Sequence, residues 1–190
     1  MEKRARVAVA EDHAFAGDFV AAAACMREAC EDDPADPELW FLQGYYQAQA
    51  GLLDEAARSL GEALAIDPDH GLAHHVIANC LRDLGQSDPA ANHYRRALEQ
   101  LDDDAAAVAD FGLHHLRCGD VDLAAALFRR ALELDPDCEL ACRGLEATVP
   151  LQGPTAVAQP PESAVPADES PPLAAEPVVA PSGTAERPRR

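Results

Sequence analysis

The sequence predicts an all-α protein, an α-solenoid of four antiparallel helical hairpins followed by a disordered C-terminal tail. Three observations support this prediction. Glycines recur at an interval of 34 residues, at Gly17, Gly51, Gly85 and Gly119. Apolar residues make up 48% of the 190-residue chain but aromatic residues only 5%, and the commonest apolar residue is alanine, the best helix former. Beyond residue 149, prolines become frequent and no helical period continues.

The interval divides residues 3–138 into four repeats, 3–36, 37–70, 71–104 and 105–138. Each repeat is expected to hold two helices. A glycine just past a helix can take the left-handed conformation that ends it, so we expect Gly17 and its three equivalents to end the first helices. A residue before proline is pushed out of helical geometry. Pro34, Pro68 and Pro136 are therefore expected to end second helices, with Asp102 as the exception in the third repeat.

Two further sets of residues share the interval and lie within the second helices. One set is small and the other is bulky. Because small residues let two helices approach closely, we expect the first helix of each repeat to contact the alanines, while the bulky residues fill the remaining space. The alanines are Ala22, Ala56, Ala90 and Ala124, with Ala29, Ala63, Ala97 and Ala131 further along; the bulky residues are Met26, Leu60, Tyr94 and Phe128.

These residues resemble the tetratricopeptide repeat, whose pattern places Trp, Gly, Tyr, Ala, Phe, Ala and Pro at set offsets. The second repeat matches it with Trp40, Gly44, Ala56, Leu60, Ala63 and Pro68. Gln43 and Gln47 depart from the pattern, and the first repeat carries Arg6 and His13 in place of Trp and Tyr. The resemblance covers residues 3–138 and implies a helical solenoid that binds proteins or peptides. Residues 139–149 are expected to form a capping helix on the last repeat.

Residues 150–190 are expected to form the disordered tail. Ten prolines fall within these 41 residues, among Ala, Ser, Glu and Val. A segment with so little hydrophobic periodicity cannot bury enough apolar surface to fold. We expect it to act as a linker or solubilising segment.

The charge of the chain limits its partners. Its formal net charge is −19, which repels phosphates and anionic lipids and attracts basic partners. Nucleic acids and membranes are therefore not expected as partners. The longest apolar run, residues 19–26, is far shorter than the roughly 20 residues of a membrane-spanning helix. Acidic residues also precede any segment that resembles a signal peptide, so we expect a cytoplasmic protein.

The sequence offers no catalytic residues, no cofactor site and no metal site. Ser59 and Ser87 are the only serines in residues 1–149, which leaves no serine triad, and the glycines are too dispersed for a phosphate loop. His70, His74 and His75 are the sharpest metal candidates. They lack the glutamate of a zinc protease motif, and His70 is expected in an inter-repeat turn. The six cysteines are expected to be small core residues rather than disulfides.

The family resemblance implies that the first helices line a concave groove that holds a segment of the partner. Phe41 and Tyr45 would supply rigid aromatic area, with packing between repeats as the alternative role for Phe41. Polar and apolar side chains would complete the surface. The expected partner-binding residues are Phe41, Tyr45, His75, Asn79, Arg82, Leu113, Leu116 and Arg143. Substitutions of groove residues such as Arg82→Glu are expected to cost little folding stability, under about 1 kcal/mol.

The sequence therefore predicts a protein-binding adaptor, monomeric or weakly dimeric, that is not an enzyme. Two alternatives remain open at this point. One is a dedicated secretion or assembly chaperone, and the other is a regulatory subunit of a separate enzyme. A carboxylate clamp of Lys or Arg and Asn across adjacent first helices is not reproduced, because only Asn79, Arg82 and the distant Arg143 are of that type.

Overall fold

The computed structural model describes residues 3–151, and all regular structure within this range is helical. The α-helices are α1 Lys3–Phe15, α2 Phe19–Asp32, α3 Pro37–Gln49, α4 Leu53–Ile66, α5 Gly71–Asp83, α6 Ser87–Leu98, α7 Ala105–Cys118, α8 Val121–Leu134 and α9 Glu139–Thr148. A short 3-10 turn, Val149–Leu151, follows α9. Pro150 and Leu151, which the sequence assigned to the tail, belong to this turn, while the rest of the predicted tail lies outside the described residues.

Consecutive helices pack as antiparallel hairpins. The hairpins are α1 with α2, α3 with α4, α5 with α6 and α7 with α8, and α9 packs on α7 and α8. Each second helix also contacts the first helix of the next hairpin, so the hairpins stack in chain order. First helices of neighbouring hairpins meet as well, α3 with α5 and α5 with α7. This arrangement confirms the predicted α-solenoid.

The ends of the helices follow from local chemistry. Gly17, Gly51, Gly85 and Gly119 have φ values of 79°, 77°, 76° and 87°, which are left-handed and end the first helices as predicted. At the other end, the carboxylates of three aspartates accept a hydrogen bond from backbone N–H groups that the helix leaves unpaired. Asp18 caps α2, Asp36 caps α3 and Asp104 caps α7.

The core lies between the two helices of each hairpin. The alanine and bulky sets are buried throughout, with exposed fractions of 0–2%. A Cβ atom added to Gly44 would lie 2.6 Å from Cγ of Leu60, and one added to Gly112 would lie 2.9 Å from the ring of Phe128. Glycine is therefore required in α3 and α7 because the bulky residue of the second helix occupies the space of a side chain.

Candidate partner-binding groove

A groove of about 470 Å³ lies between the first helices of the second and third repeats. We call it the α3–α5 groove. Its principal lining residues are Phe41, Tyr45 and Ala48 of α3 and Leu72, His75, Val76 and Asn79 of α5. The surface is mainly apolar, and the groove is therefore suited to an apolar side chain rather than to a charged one.

The two aromatic residues of the groove have different roles. Tyr45 is 36% exposed, and its ring centroid lies 6.2 Å from that of Phe41. Phe41 is only 8% exposed and packs in a core cluster with Leu60 and Ile77. Most of the Phe41 side chain therefore packs between the repeats, which was the alternative role for this residue. The small exposed part of its ring forms the floor of the groove. Tyr45 is the aromatic side chain that a partner can reach.

A cysteine also lines the groove. Burial raises the pKa of Cys80 to about 11, against an ordinary value of 9.0. The side chain is thus a neutral thiol at physiological pH, and a thiol is a far weaker nucleophile than a thiolate. Cys80 contributes apolar surface to the groove.

A polar network closes the neighbouring junction, between α5 and α7. Asp110 of α7 is its centre and accepts three hydrogen bonds from α5. The donors are Nε2 of His75 at 2.8 Å, Nδ2 of Asn79 at 3.1 Å and Nη1 of Arg82 at 3.2 Å. Nη1 of Arg82 also donates to the hydroxyl of Tyr94 at 2.8 Å, and that hydroxyl donates to Oδ1 of Asn79. The donors of three predicted groove residues are therefore used within the chain.

The network shifts the acid–base behaviour of its members. Burial alone would raise the pKa of Asp110, but the hydrogen bonds from His75 and Asn79 and the nearby positive charges lower it below its ordinary value of 3.8. Burial raises the pKa of Tyr94 far above its ordinary value of 10.0, so its hydroxyl stays protonated. Asp110 is thus a stable acceptor and Tyr94 a stable donor at neutral pH.

The network changes what we expect of Arg82. The sequence treats this residue as a groove side chain whose charge can be reversed at little cost to folding. A glutamate at this position would place a second carboxylate beside the largely buried Asp110, with no cation between them. Like charges in a partly buried site are strongly unfavourable. Arg82→Glu is therefore expected to destabilise the fold.

The remaining predicted groove residues lie outside the α3–α5 groove. Leu113 and Leu116 of α7 are half-buried against the core cluster that contains Phe128. Arg143 is exposed on α9. The first five predicted residues thus come together around the two junctions of α5, and the last three belong to the C-terminal part of the solenoid. Their contact with a partner stays a prediction.

Asp110 is not among the site residues predicted from the sequence. Its equivalents in the first three repeats are Ala8, Leu42 and Val76, all apolar. An acidic residue in an otherwise apolar set is costly to bury unless it has partners. A comparison of the repeats at this position could therefore have indicated that Asp110 has hydrogen-bonding partners.

The histidines of the metal candidate are engaged in other contacts. His70 caps α5, where its Nδ1 accepts a hydrogen bond from the backbone N–H of Ala73 at 3.2 Å, which confirms its place in the inter-repeat turn. Nε2 of His74 lies 3.0 Å from the carbonyl of Pro68, and its Nδ1 lies 2.9 Å from Nδ1 of His93. Within residues 3–151, no three His, Cys, Asp or Glu side chains are grouped as ligands of one metal ion.

Comparison with known proteins identifies the family. Three family models described as tetratricopeptide repeat match residues 8–70, 47–111 and 112–141. The chain belongs to the tetratricopeptide-repeat (TPR) family. A curated relative from Macaca fascicularis, the antiviral innate immune response effector IFIT1, is 27% identical over 123 residues. The match covers 60% of this TPR chain and only 26% of the relative, so it concerns the repeats and not the whole relative.

Solved TPR structures share the fold. MamA superposes with a TM-score of 0.69 at 19% identity, over 76% of this chain and 85% of MamA. YrrB, a TPR protein with an unusual peptide-binding site, superposes with a TM-score of 0.63 at 22% identity, over 77% of this chain and 76% of YrrB. In the part of this TPR protein that the structure describes, no helix is both long and apolar enough to cross a membrane.

Proposed function

We propose that this TPR protein is a non-enzymatic adaptor that holds a peptide segment of a partner protein in the α3–α5 groove. The observation that supports this proposal is the exposed ring of Tyr45 above an apolar surface formed by Leu72 and Val76. A tyrosine contributes a large contact area and loses little conformational freedom on binding, because its side chain has two main torsions. Tyr45 is therefore the anchor of the proposed site.

The groove favours a particular class of segment. Its apolar lining accepts a large apolar side chain of the partner, and the net charge of −19 favours basic residues next to it. His75 and Asn79 line the edge of the groove while their donors are held by Asp110. They therefore form a fixed wall of the groove, and their donors are not available to a ligand. The proposed ligand is a peptide with an apolar anchor flanked by lysine or arginine.

The test is a selection of linear peptides from a random display library on the full chain, followed by affinity measurement by fluorescence polarisation. Tyr45→Ala is expected to weaken the selected peptides about tenfold or more, as loss of an aromatic anchor does. Leu123→Ala is the matched control, since Leu123 is also a large exposed side chain but lies on α8. Equal affinities for the native chain and Tyr45→Ala would contradict the proposal.

A further inference from the structure

A second depression, separate from the α3–α5 groove, lies between the second helices of the first two repeats. We call it the α2–α4 cleft. Its volume is about 850 Å³, and its lining includes Arg27 of α2, Gln43 and Gln47 of α3, and Arg58, Ser59 and Gly61 of α4. A smaller hollow of about 130 Å³ shares Arg27, Gln43 and Gln47 and extends the cleft to Val20 and Leu52.

Gln43 is the unusual residue of this cleft. It is only 6% exposed, and its buried Oε1 atom has no hydrogen-bond partner among the described residues. Equivalent positions in the other repeats hold Val9, Ile77 and Phe111, which are apolar. A buried acceptor without a donor destabilises a fold, whereas an apolar residue at that position would not. The neighbouring Gln47 is different, because its Oε1 accepts a hydrogen bond from the hydroxyl of Ser59 at 2.7 Å.

Gly61 is the second residue that departs from its repeat. The other three repeats hold an arginine at its position, Arg27, Arg95 and Arg129. Gly61 lies inside α4, where glycine disfavours the helix, and a Cβ atom added to it would meet no atom of residues 3–151 within 4 Å. The absence of a side chain at this position is therefore not required by packing. It leaves the wall of the cleft open where the other repeats carry a long side chain.

Both departures lower stability, and both lie in one cleft. Residues that contradict the local rules of their own fold without a structural compensation are expected at functional sites. A ligand that brings a hydrogen-bond donor to Gln43 and occupies the space above Gly61 would account for both. We propose that the α2–α4 cleft is a second binding site and that its ligand is an extended peptide segment which donates a backbone N–H to Gln43.

The chemistry of the cleft selects this class of ligand. Beyond its first turn a helical segment uses its backbone N–H groups internally, whereas an extended segment has free N–H groups along its whole length. Val20 is 61% exposed and Leu52 37%, and together they offer an apolar contact at one end of the cleft. Arg27 and Arg58 have no ion pair within residues 3–151, and Glu31, Glu55 and Glu62 also line the cleft. The segment therefore carries one large apolar side chain and charges of both signs.

The experiment uses the full chain, a random library of linear decapeptides, and two variants that install the residues of another repeat. Gln43→Ile copies Ile77, and Gly61→Arg copies Arg95. One group of selected peptides is expected to lose affinity about tenfold or more on both variants and to keep it on Tyr45→Ala. Both variants are expected to unfold at an equal or higher urea concentration than the native chain. N-methylation at one peptide position should abolish binding of this group.

Other outcomes would overturn the proposal. Peptides that bind both variants as tightly as the native chain, or a selection that yields no peptide, would show that the cleft is not a binding site. A lower unfolding midpoint for Gln43→Ile would show that the amide serves the fold. If the selected sequences match residues 152–190, the ligand of the cleft would be a segment of this chain and not of a partner protein. Peptides weakened by Tyr45→Ala alone would refute the cleft and leave the α3–α5 groove as the binding site.

Discussion

Equivalent positions of successive repeats line two neighbouring junctions, and the two junctions differ completely in character. Between α3 and α5, Phe41, Tyr45 and Ala48 line an open apolar groove with Val76. Between α5 and α7, the residues 34 positions later are His75, Asn79 and Arg82, and they bind Asp110, the equivalent of Val76. The first junction leaves a surface open to a ligand, whereas the side chains of the second junction are hydrogen-bonded to one another.

The difference shows how a repeat protein sets binding surface and rigidity independently of its scaffold. Both junctions rest on hairpins packed in the same way, with buried alanines at Ala56 and Ala90. Asp110 of α7 accepts hydrogen bonds from three residues of α5, whereas Val76 of α5 has no acceptor to offer the equivalent residues of α3. The second junction is therefore closed by an acceptor and its donors together, and both are replaced by mainly apolar residues in the first.

The largest effect is expected from Asp110→Val, which gives the second junction the residue of the first. His75, Asn79 and Arg82 would then lose their shared acceptor. Removing one partner of a fully buried ion pair costs about 3–5 kcal/mol, and because Asp110 is 19% and Arg82 11% exposed, solvent reduces the loss. We expect the free energy of unfolding, measured by urea denaturation, to fall by about 3 kcal/mol.

Asp110→Asn is the control for this prediction. It keeps an acceptor for Arg82 while removing the charge, so it should lie between the native chain and Asp110→Val. A loss under about 1 kcal/mol for Asp110→Val would mean that the network contributes little, since single neutral hydrogen bonds contribute that much.

The next effect concerns the hairpins, which should be equivalent at the two junctions. Ala56→Leu and Ala90→Leu each add three heavy atoms at a position with 0% exposure. Overpacking of this kind costs about 1–3 kcal/mol. Thermal unfolding should show similar losses for both variants. Ala65→Leu is the matched control, because Ala65 lies on the exposed side of α4 and should change stability little. If the two variants lose different amounts of stability, part of the difference between the junctions arises from the packing of the hairpins themselves.

Acid should weaken the third and fourth repeats in two stages. Burial, with the nearby charge of His115, lowers the pKa of His114 below its ordinary value of 6.5, and burial with His74 does the same for His93. Both histidines bind a proton more readily in the unfolded chain, so their contribution is complete above pH 6.5 and is lost as the pH falls below it. Asp110, whose pKa is also lowered, contributes stability above pH 3.8 that is lost in stronger acid.

The measurement is the urea midpoint as a function of pH for the native chain and two variants. Asp110→Asn should flatten the decline in the most acidic range, and His114→Phe should flatten the decline just below pH 6.5. Stability that rises on acidification from pH 7 to pH 5 would contradict the directions given for these histidines.

The smallest effect is expected from Tyr45→Ala. Tyr45 is 36% exposed and makes ring contacts with Phe41 and Tyr46 at the edge of the groove. Truncation of an exposed side chain should cost under about 1 kcal/mol of unfolding free energy. Asn79→Ala, at the equivalent position of the next repeat, should cost more because it removes hydrogen bonds to Asp110 and Tyr94. Equal losses would mean that Tyr45 is as structural as Asn79.

Much of the fold could be predicted from the sequence because its signals act locally. A left-handed glycine at Gly51 and a proline at Pro68 set the ends of helices whatever lies beyond them. The interval between equivalent positions then assigns Leu60 and Phe128 to the core, where the structure places them. Of the binding surface, the same reasoning brought Phe41 and Tyr45 to one groove. It left open whether Phe41 would bind a partner or pack between repeats, and the structure shows that Phe41 is largely buried.

By itself, the sequence determined the repeats, the helix pairs and the buried sets of alanines and bulky residues, since each depends on the conformation and size of single residues at a fixed interval. Only the tertiary structure decided which polar side chains were free. Asp110 engages His75, Asn79 and Arg82, while Oε1 of Gln43 is buried with no donor in the part of the chain that the structure describes. Hydrogen bonds between repeats depend on distances and directions in space, and an interval along the chain does not contain them.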